Sequence, residues 1–516
     1  MDKRYLRIGV ALAIAVGVIV AQRVLREHAT APADGPVPIA TPETGGFTLG
    51  SLAFTSCELA QPHSGATTAA WCAPFQVPED WDAPEGRHID LKLALVRSDA
   101  QVAERDLVVL LAGGPGEAAT ESYAGVAGAL APLRKHRHVL LLDQRGTGGS
   151  HPLTCPQRAD AAGNPATASG EDLDGLRAAM RECLATIGQD ADPALYTTSA
   201  AVRDLEAVRQ ALGAPRFDLV GVSYGTRVAQ QYLRRYPDGV RSVVLDSVVP
   251  NELALGSEFA TNLDAALRAQ FAECAKSPAC EETFGDTYAN LHALHERLAA
   301  QPVEVDYRDP RNFVERTRTL DGGTLVGLVR LFAYTPETSA LLPLAIAEAG
   351  RGNYAPLLGQ ADLVEDLTGD LATSGMQFSV ICAEDADLLE PRPQDAGLLL
   401  GDELGAAFRA ACEVWPRGTR PADFHEPIES DKPVLVLEGE FDPVTPPRYG
   451  EAVVEGLANG RLLVARGQGH NVIGRGCIPT LVERFVETLD AAALDAGCLA
   501  DLGPIPAFLD YNGAAP

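Results

Sequence analysis

Apolar runs of strand length recur along this chain with helical stretches between them, and that alternation is what most restricts its fold. DLVVLLA (106–112), HVLLLD (138–143), FDLVGV (217–222), SVVLDSV (242–248), PVLVLEG (433–439) and RLLVARG (461–467) are nearly unbroken by polar residues. Strands read this way when a parallel sheet is covered by helices on both faces. IDLKLALVRS (89–98) alternates instead, as a half-exposed strand does. SAAVRDLEAVRQALG (199–213) sets Leu205, Val208 and Leu212 on one helical face and stops at Gly213. The pattern predicts an α/β fold with a mostly parallel sheet flanked by helices and right-handed crossovers.

The strand pattern lapses from about Pro250 to Pro427, where helical runs such as FATNLDAALRAQFAECA and TYANLHALHERLAAQ dominate. A mainly helical cap inserted between two halves of one sheet accounts for this. The expected division is a core over 51–250, the cap over 251–427, a second core part over 428–500 and a tail over 501–516. With 516 residues the chain is too long for one minimal core, which suits a core with an insertion.

Residues 1–30 place Lys3, Arg4 and Arg7 before an apolar run over 8–21, with Arg23 and Arg26 after it. A basic head with a run this short reads as an export signal rather than a full membrane span. Ala29-Thr30-Ala31 has the small-x-small form of a cleavage site, but Pro32 follows it, so an N-terminal membrane anchor is the alternative. Pro32, Pro36, Pro38 and Pro42 mark a linker over 31–50. The 10 cysteines agree with export to a periplasmic or extracellular compartment. Their expected pairing joins sequence neighbours: Cys57 with Cys72, Cys155 with Cys183, Cys274 with Cys280, Cys382 with Cys412, and Cys477 with Cys498. No clustered Cys/His spacing suggests zinc. A net charge of −28 repels phosphate backbones and argues against a nucleic-acid partner.

FDLVGVSYGTRVAQQYLRRY runs from a strand through Gly221-Val222-Ser223-Tyr224-Gly225 into a helix. The G-x-S-x-G pattern in that setting holds a serine on a strained corner, at the strand end where ligands of open α/β sheets bind. A serine hydroxyl needs a base and a group to orient that base, in the chain order Ser, Asp or Glu, His. Asp442 follows PVLVLEG and His470 follows the last strand, so both fall at the same sheet edge as Ser223. Asp246 and Glu440 are rival carboxylates, while His136, His138, His151, His292 and His295 lie outside that placement. LVVLLAGGPGEAA (107–119) offers free backbone N–H groups after a strand. Gly114, with Gly113 as its rival, and the Tyr224 amide are the expected oxyanion donors, each worth about 3 kcal/mol.

Together GGPG (113–116), DQRGTGGS (143–150), GVSYGTRVAQQYLRRYPDGVRSVVLD (221–246), GEFDPVTP (439–446) and GQGH (467–470) resemble the α/β-hydrolase peptidases that include proline iminopeptidases and secreted tripeptidyl aminopeptidases. That resemblance implies a triad of Ser223, Asp442 and His470, an oxyanion loop at GGPG, a scaffold ion pair of Asp143 with Arg145, and no metal or organic cofactor. It also implies short peptide substrates, cleaved from a free N-terminus under the cap. Where family members often carry a histidine before GGPG, Ala112 stands here. An aminopeptidase must bind an ammonium group, and SVICAEDADLLE (379–390) offers Glu384 as the leading anchor, beside Asp385 and Asp387. An esterase using the same triad and a non-catalytic exported binding protein are the alternatives.

Overall fold

The structure is a computed structural model that describes residues 46–61, 65–156, 172–368 and 375–514. The expected export signal or anchor at 1–30 and the first part of the expected linker lie outside the described residues. The end of the expected linker is not a linker: β1 (Phe47–Leu49) pairs antiparallel with β2 (Leu52–Ala60). β3 (Thr67–Pro78) and β4 (His88–Val96) extend this antiparallel wing.

The parallel part of the sheet comprises β5 (Leu107–Leu111), β6 (Val139–Leu142), β7 (Phe217–Val222) and β8 (Val240–Asp246). A cap hairpin, β9 (Val303–Arg308) with β10 (Glu315–Leu320), stands apart from it. β11 (Ser430–Gly439) and β12 (Leu457–Ala465) complete a 10-stranded sheet of order β1-β2-β3-β4-β6-β5-β7-β8-β11-β12. β8 pairs in parallel with β11, although the whole cap separates them in sequence.

The unbroken apolar runs follow from burial on both faces. Successive strand residues point to opposite sides. Val109, Leu111, Leu219, Val434 and Val436 therefore join one apolar core, and Val108, Leu110, Val220, Leu435 and Leu437 join the other. Leu205, Val208 and Leu212 of the helix Thr198–Leu212 pack into the first of these, and Gly213 ends that helix at φ 62°. The cap has its own core around Leu263, Leu294, Val329, Phe332 and Ile346. Its helices run from Phe259–Ala275 to Glu403–Cys412, with the hairpin β9–β10 as the one interruption by strands among the described residues.

The cysteines form the five sequence-neighbour disulfides, and no cysteine is free. Residues of the C-terminal tail pack onto the cap: Phe508 N–H donates to Ala340 O, and Ala507, Phe508 and Leu509 lie against Phe284 and Leu344. Among the described residues no helix is long and apolar enough to cross a membrane.

Candidate active site

Because the strands are parallel, the loops after β5, β7, β8, β11 and β12 meet at one edge of the sheet. Ser223 caps the helix Tyr224–Arg235 with φ 53° and ψ −123°, a backbone conformation that side chains rarely adopt. The two flanking glycines permit that corner. A Cβ on Gly221 would stand 2.6 Å from Gly225 O, and one on Gly225 would stand 2.1 Å from Leu111 O. The Ser223 amide is anchored to Asp246 O at 2.9 Å.

Three side chains that are far apart in sequence converge here. Ser223 Oγ lies 3.0 Å from His470 Nε2, and His470 Nδ1 lies 2.7 Å from Asp442 Oδ2. Asp442 is pinned by the Val444 and Thr445 amides on Oδ1 and by the Thr445 hydroxyl on Oδ2. An acceptor-only carboxylate makes Nδ1 the protonated nitrogen of a neutral imidazole. Nε2 is then left to accept the serine proton. Burial opposes charging the His470 ring, but Asp442, helped by Asp246 and Glu117, outweighs it and raises the pKa above the usual histidine value. kcat/KM on a neutral ester is therefore expected to fall on the acid side with an apparent pKa above 6.5. A pH–rate profile checks this.

The rival carboxylates have other partners. Asp246 accepts the Val472 and Ile473 amides at 2.8 and 3.0 Å, which fixes the loop carrying His470. Burial raises its pKa to about 6. Glu440 accepts the Gly467 amide at the start of the same loop. The other histidines considered are elsewhere: His138 Nδ1 accepts the Ser98 amide, and His292 packs on Tyr288.

The GGPG turn reaches the nucleophile. A Cβ on Gly113 would stand 3.2 Å from Ser223 Cβ. The Gly113 amide is already engaged by Glu117 Oε2 at 3.2 Å. Tyr224 N–H opens a helix, where the first amides have no intrahelical acceptor. Its hydroxyl lies 2.6 Å from Thr198 Oγ1.

Two structural expectations need correction. Asp143 and Arg145 do not pair with each other. Arg145 forms a buried two-pronged bond with Asp204 at 2.7 Å and also donates to Glu79 O, while Asp143 accepts from Thr120 and Gly149. Both residues serve the scaffold, but separately.

Glu384 does not present a free carboxylate. It ends the helix Gly375–Glu384 fully buried, with Oε1 on the Thr198 amide at 2.6 Å and Oε2 on the Thr198 hydroxyl at 2.9 Å. An acid whose oxygens are both spent inside the protein is poorly placed to hold an ammonium ion. Burial, with the neighbouring Asp385 charge, raises its pKa from 4.5 to about 8. Folding then takes up a proton between pH 4.5 and 8. The stability this group contributes is fullest below that window and declines as pH rises through it. Glu384→Gln, which mimics the protonated acid, is expected to raise Tm relative to the parent at pH 8 and to leave it nearly equal at pH 4.5. Parallel melting curves at both pH values would contradict this.

Spacing alone did not point to Glu117, Thr445 or the cap residue Tyr334. Tyr334 meets the His470 ring edge-on at 5.4 Å, and its backbone oxygen accepts the His470 amide at 2.7 Å. Glu117 was readable as the acid immediately after GGPG. Thr445 was readable as the hydroxyl three residues beyond Asp442.

A layered sheet carrying a strained serine corner, with a histidine and a carboxylate from later strand ends, defines a hydrolase. The chain belongs to the alpha/beta hydrolase fold family, whose model matches residues 106–475. It is similar to the serine protease Hip1 of Mycobacterium tuberculosis, 27% identical over 472 residues that cover 84% of this chain and 88% of that one. Carboxylesterase B of the same species is 28% identical over 469 residues, with coverage of 84% and 87%. Tripeptidyl aminopeptidase of Streptomyces lividans is 26% identical over 472 residues, covering 84% of each.

Proposed function

We propose that this protein is an exported serine aminopeptidase that hydrolyses short peptides from their free N-terminus through an acyl-enzyme on Ser223. The observation that carries the reading is the continuous line Ser223–His470–Asp442, with contacts of 3.0 and 2.7 Å. Ser223 Oγ attacks the scissile carbonyl carbon as His470 Nε2 takes its proton. The Gly114 and Tyr224 amides stabilise the resulting oxyanion. His470 returns the proton to the leaving amine as the C–N bond breaks. Water, deprotonated by His470, then releases the acyl group as a carboxylic acid and restores Ser223.

The peptidase relatives support peptide substrates, and the cap supports a limit on their size. The five disulfides support an oxidising compartment. A fluorophosphonate probe is expected to label Ser223 and to spare Ser223→Ala. Turnover of free-amine peptide anilides then tests the peptidase assignment. Hydrolysis of simple esters alone would favour the esterase reading, which the carboxylesterase relative keeps in view, and absence of labelling would overturn both.

A further inference from the structure

Glu117 stands between the GGPG turn and the helix Ala119–Arg134, partly exposed at the edge of the reacting centre. The point where a Cβ on Gly113 would lie is 3.2 Å from Glu117 Oε2 and 3.2 Å from Ser223 Cβ. Carboxyl and nucleophile therefore flank the same small space. Gly113 N–H is its hydrogen-bond donor, and the His470 ring, when protonated, favours its charged form. From the cap, Tyr334 packs edge-on against His470 at the same centre. Burial raises the Glu117 pKa, against the Gly113 amide and His470.

For acyl transfer alone this is a costly arrangement, because a negative charge beside the developing oxyanion opposes the reaction. The cost disappears if the substrate brings a cation to the same place. In an aminoacyl substrate the α-ammonium nitrogen is two bonds from the attacked carbonyl carbon, about 2.5 Å away. In a tripeptidyl substrate the amine lies two residues further out, up to about 7 Å more in an extended chain.

We propose that Glu117 binds the α-ammonium of the residue whose carbonyl Ser223 attacks, so that the enzyme releases single N-terminal residues rather than tripeptides. This deepens the aminopeptidase reading and rests on it. Glu117 is a binding residue here, and it fills the role that Glu384 cannot.

The test compares alanyl p-nitroanilide, trialanyl p-nitroanilide, N-acetylalanyl p-nitroanilide and p-nitrophenyl acetate on the parent enzyme, E117Q and E117D. The parent is expected to prefer the alanyl over the trialanyl and acetylated anilides. E117Q is expected to raise KM for the alanyl anilide about tenfold or more relative to KM for the acetate, with partial recovery in E117D. Asp442, Asp246 and Glu117 all raise the His470 pKa, so E117Q should also move the acid limb of the acetate profile to lower pH. Equal losses on anilide and acetate, with no shift of that limb, would reduce Glu117 to a tie for the GGPG turn. Faster trialanyl turnover untouched by E117Q would overturn this proposal alone. Turnover of the acetate with no free-amine anilide would overturn the aminopeptidase reading as well.

Discussion

Replacing Asp442 with asparagine lowers kcat by about 10⁴-fold on any acyl substrate while the fold survives. The size of the effect follows from what the carboxylate holds. Its Oδ2 takes His470 Nδ1–H at 2.7 Å and the Thr445 hydroxyl at 2.9 Å, and Oδ1 takes two amides at 2.7 and 2.8 Å. Asparagine matches that shape and keeps Oδ1 for the amides, but it turns an NH₂ group towards His470. The imidazole must then accept at Nδ1, so its proton moves to Nε2, facing Ser223. From there it cannot remove the hydroxyl proton. The charge that steadies the imidazolium is lost as well.

Measured kcat and the rate of fluorophosphonate labelling should fall together, with an unchanged far-ultraviolet spectrum. A loss smaller than about tenfold would mean that another carboxylate serves the ring. Asp246 would then be first in line, although its oxygens are occupied by the Val472 and Ile473 amides.

The parallel half of the sheet was legible because burial on both faces admits so few polar residues. The runs at β5, β6, β7, β8 and β11 carry that signature directly, whereas β12 lies at the sheet edge and leaves Val464 exposed. In the antiparallel wing only β4 was legible, through the alternation of IDLKLALVRS. β2 and β3 were not, because LAFTSCELA and TTAAWCAPFQVP mix polar and apolar residues, and Pro74 and Pro78 discourage a strand assignment. The cap hairpin β9–β10 was hidden similarly, its exposed positions being filled by charged residues in β9 and by Glu315, Thr317 and Thr319 in β10.

At the site, chain order and strand ends are one-dimensional facts, so Ser223, Asp442 and His470 could be picked from them. Which acid faces the pocket is a packing question. Glu384 lies in an acidic stretch at the end of the cap, yet a threonine from a distant helix start takes both its oxygens. Glu117 immediately follows the most recognisable motif, but that motif is read for its glycines. Asp143 and Arg145 lie two residues apart in one loop, but each finds its partner elsewhere.

Arg227→Met is expected to cost about 3–5 kcal/mol of stability, the usual penalty for leaving one member of a buried ion pair behind. Arg227 lies four residues past the nucleophile and is fully buried, with Asp385 at 3.0 and 3.2 Å and the Pro250 and Leu253 carbonyls as further acceptors. It stacks over Phe424 and so joins the catalytic corner to the chain on both sides of the cap. Without the guanidinium, Asp385 keeps the Leu255 amide but loses its buried cation, while remaining next to Glu384.

Removing the acid as well, in Arg227→Met/Asp385→Leu, eliminates the stranded charge. The double variant should therefore be more stable than Arg227→Met alone, a coupling that independent sites would not show. Denaturant titrations of the parent, both single variants and the double variant check this. A loss below about 1 kcal/mol in Arg227→Met, or simple addition of the single effects, would show that the pair contributes little. Because Arg227 holds the corner's scaffold and touches neither His470 nor the reacting serine, activity in Arg227→Met should fail with unfolding on heating. Where the variant is still folded, kcat should remain close to that of the parent.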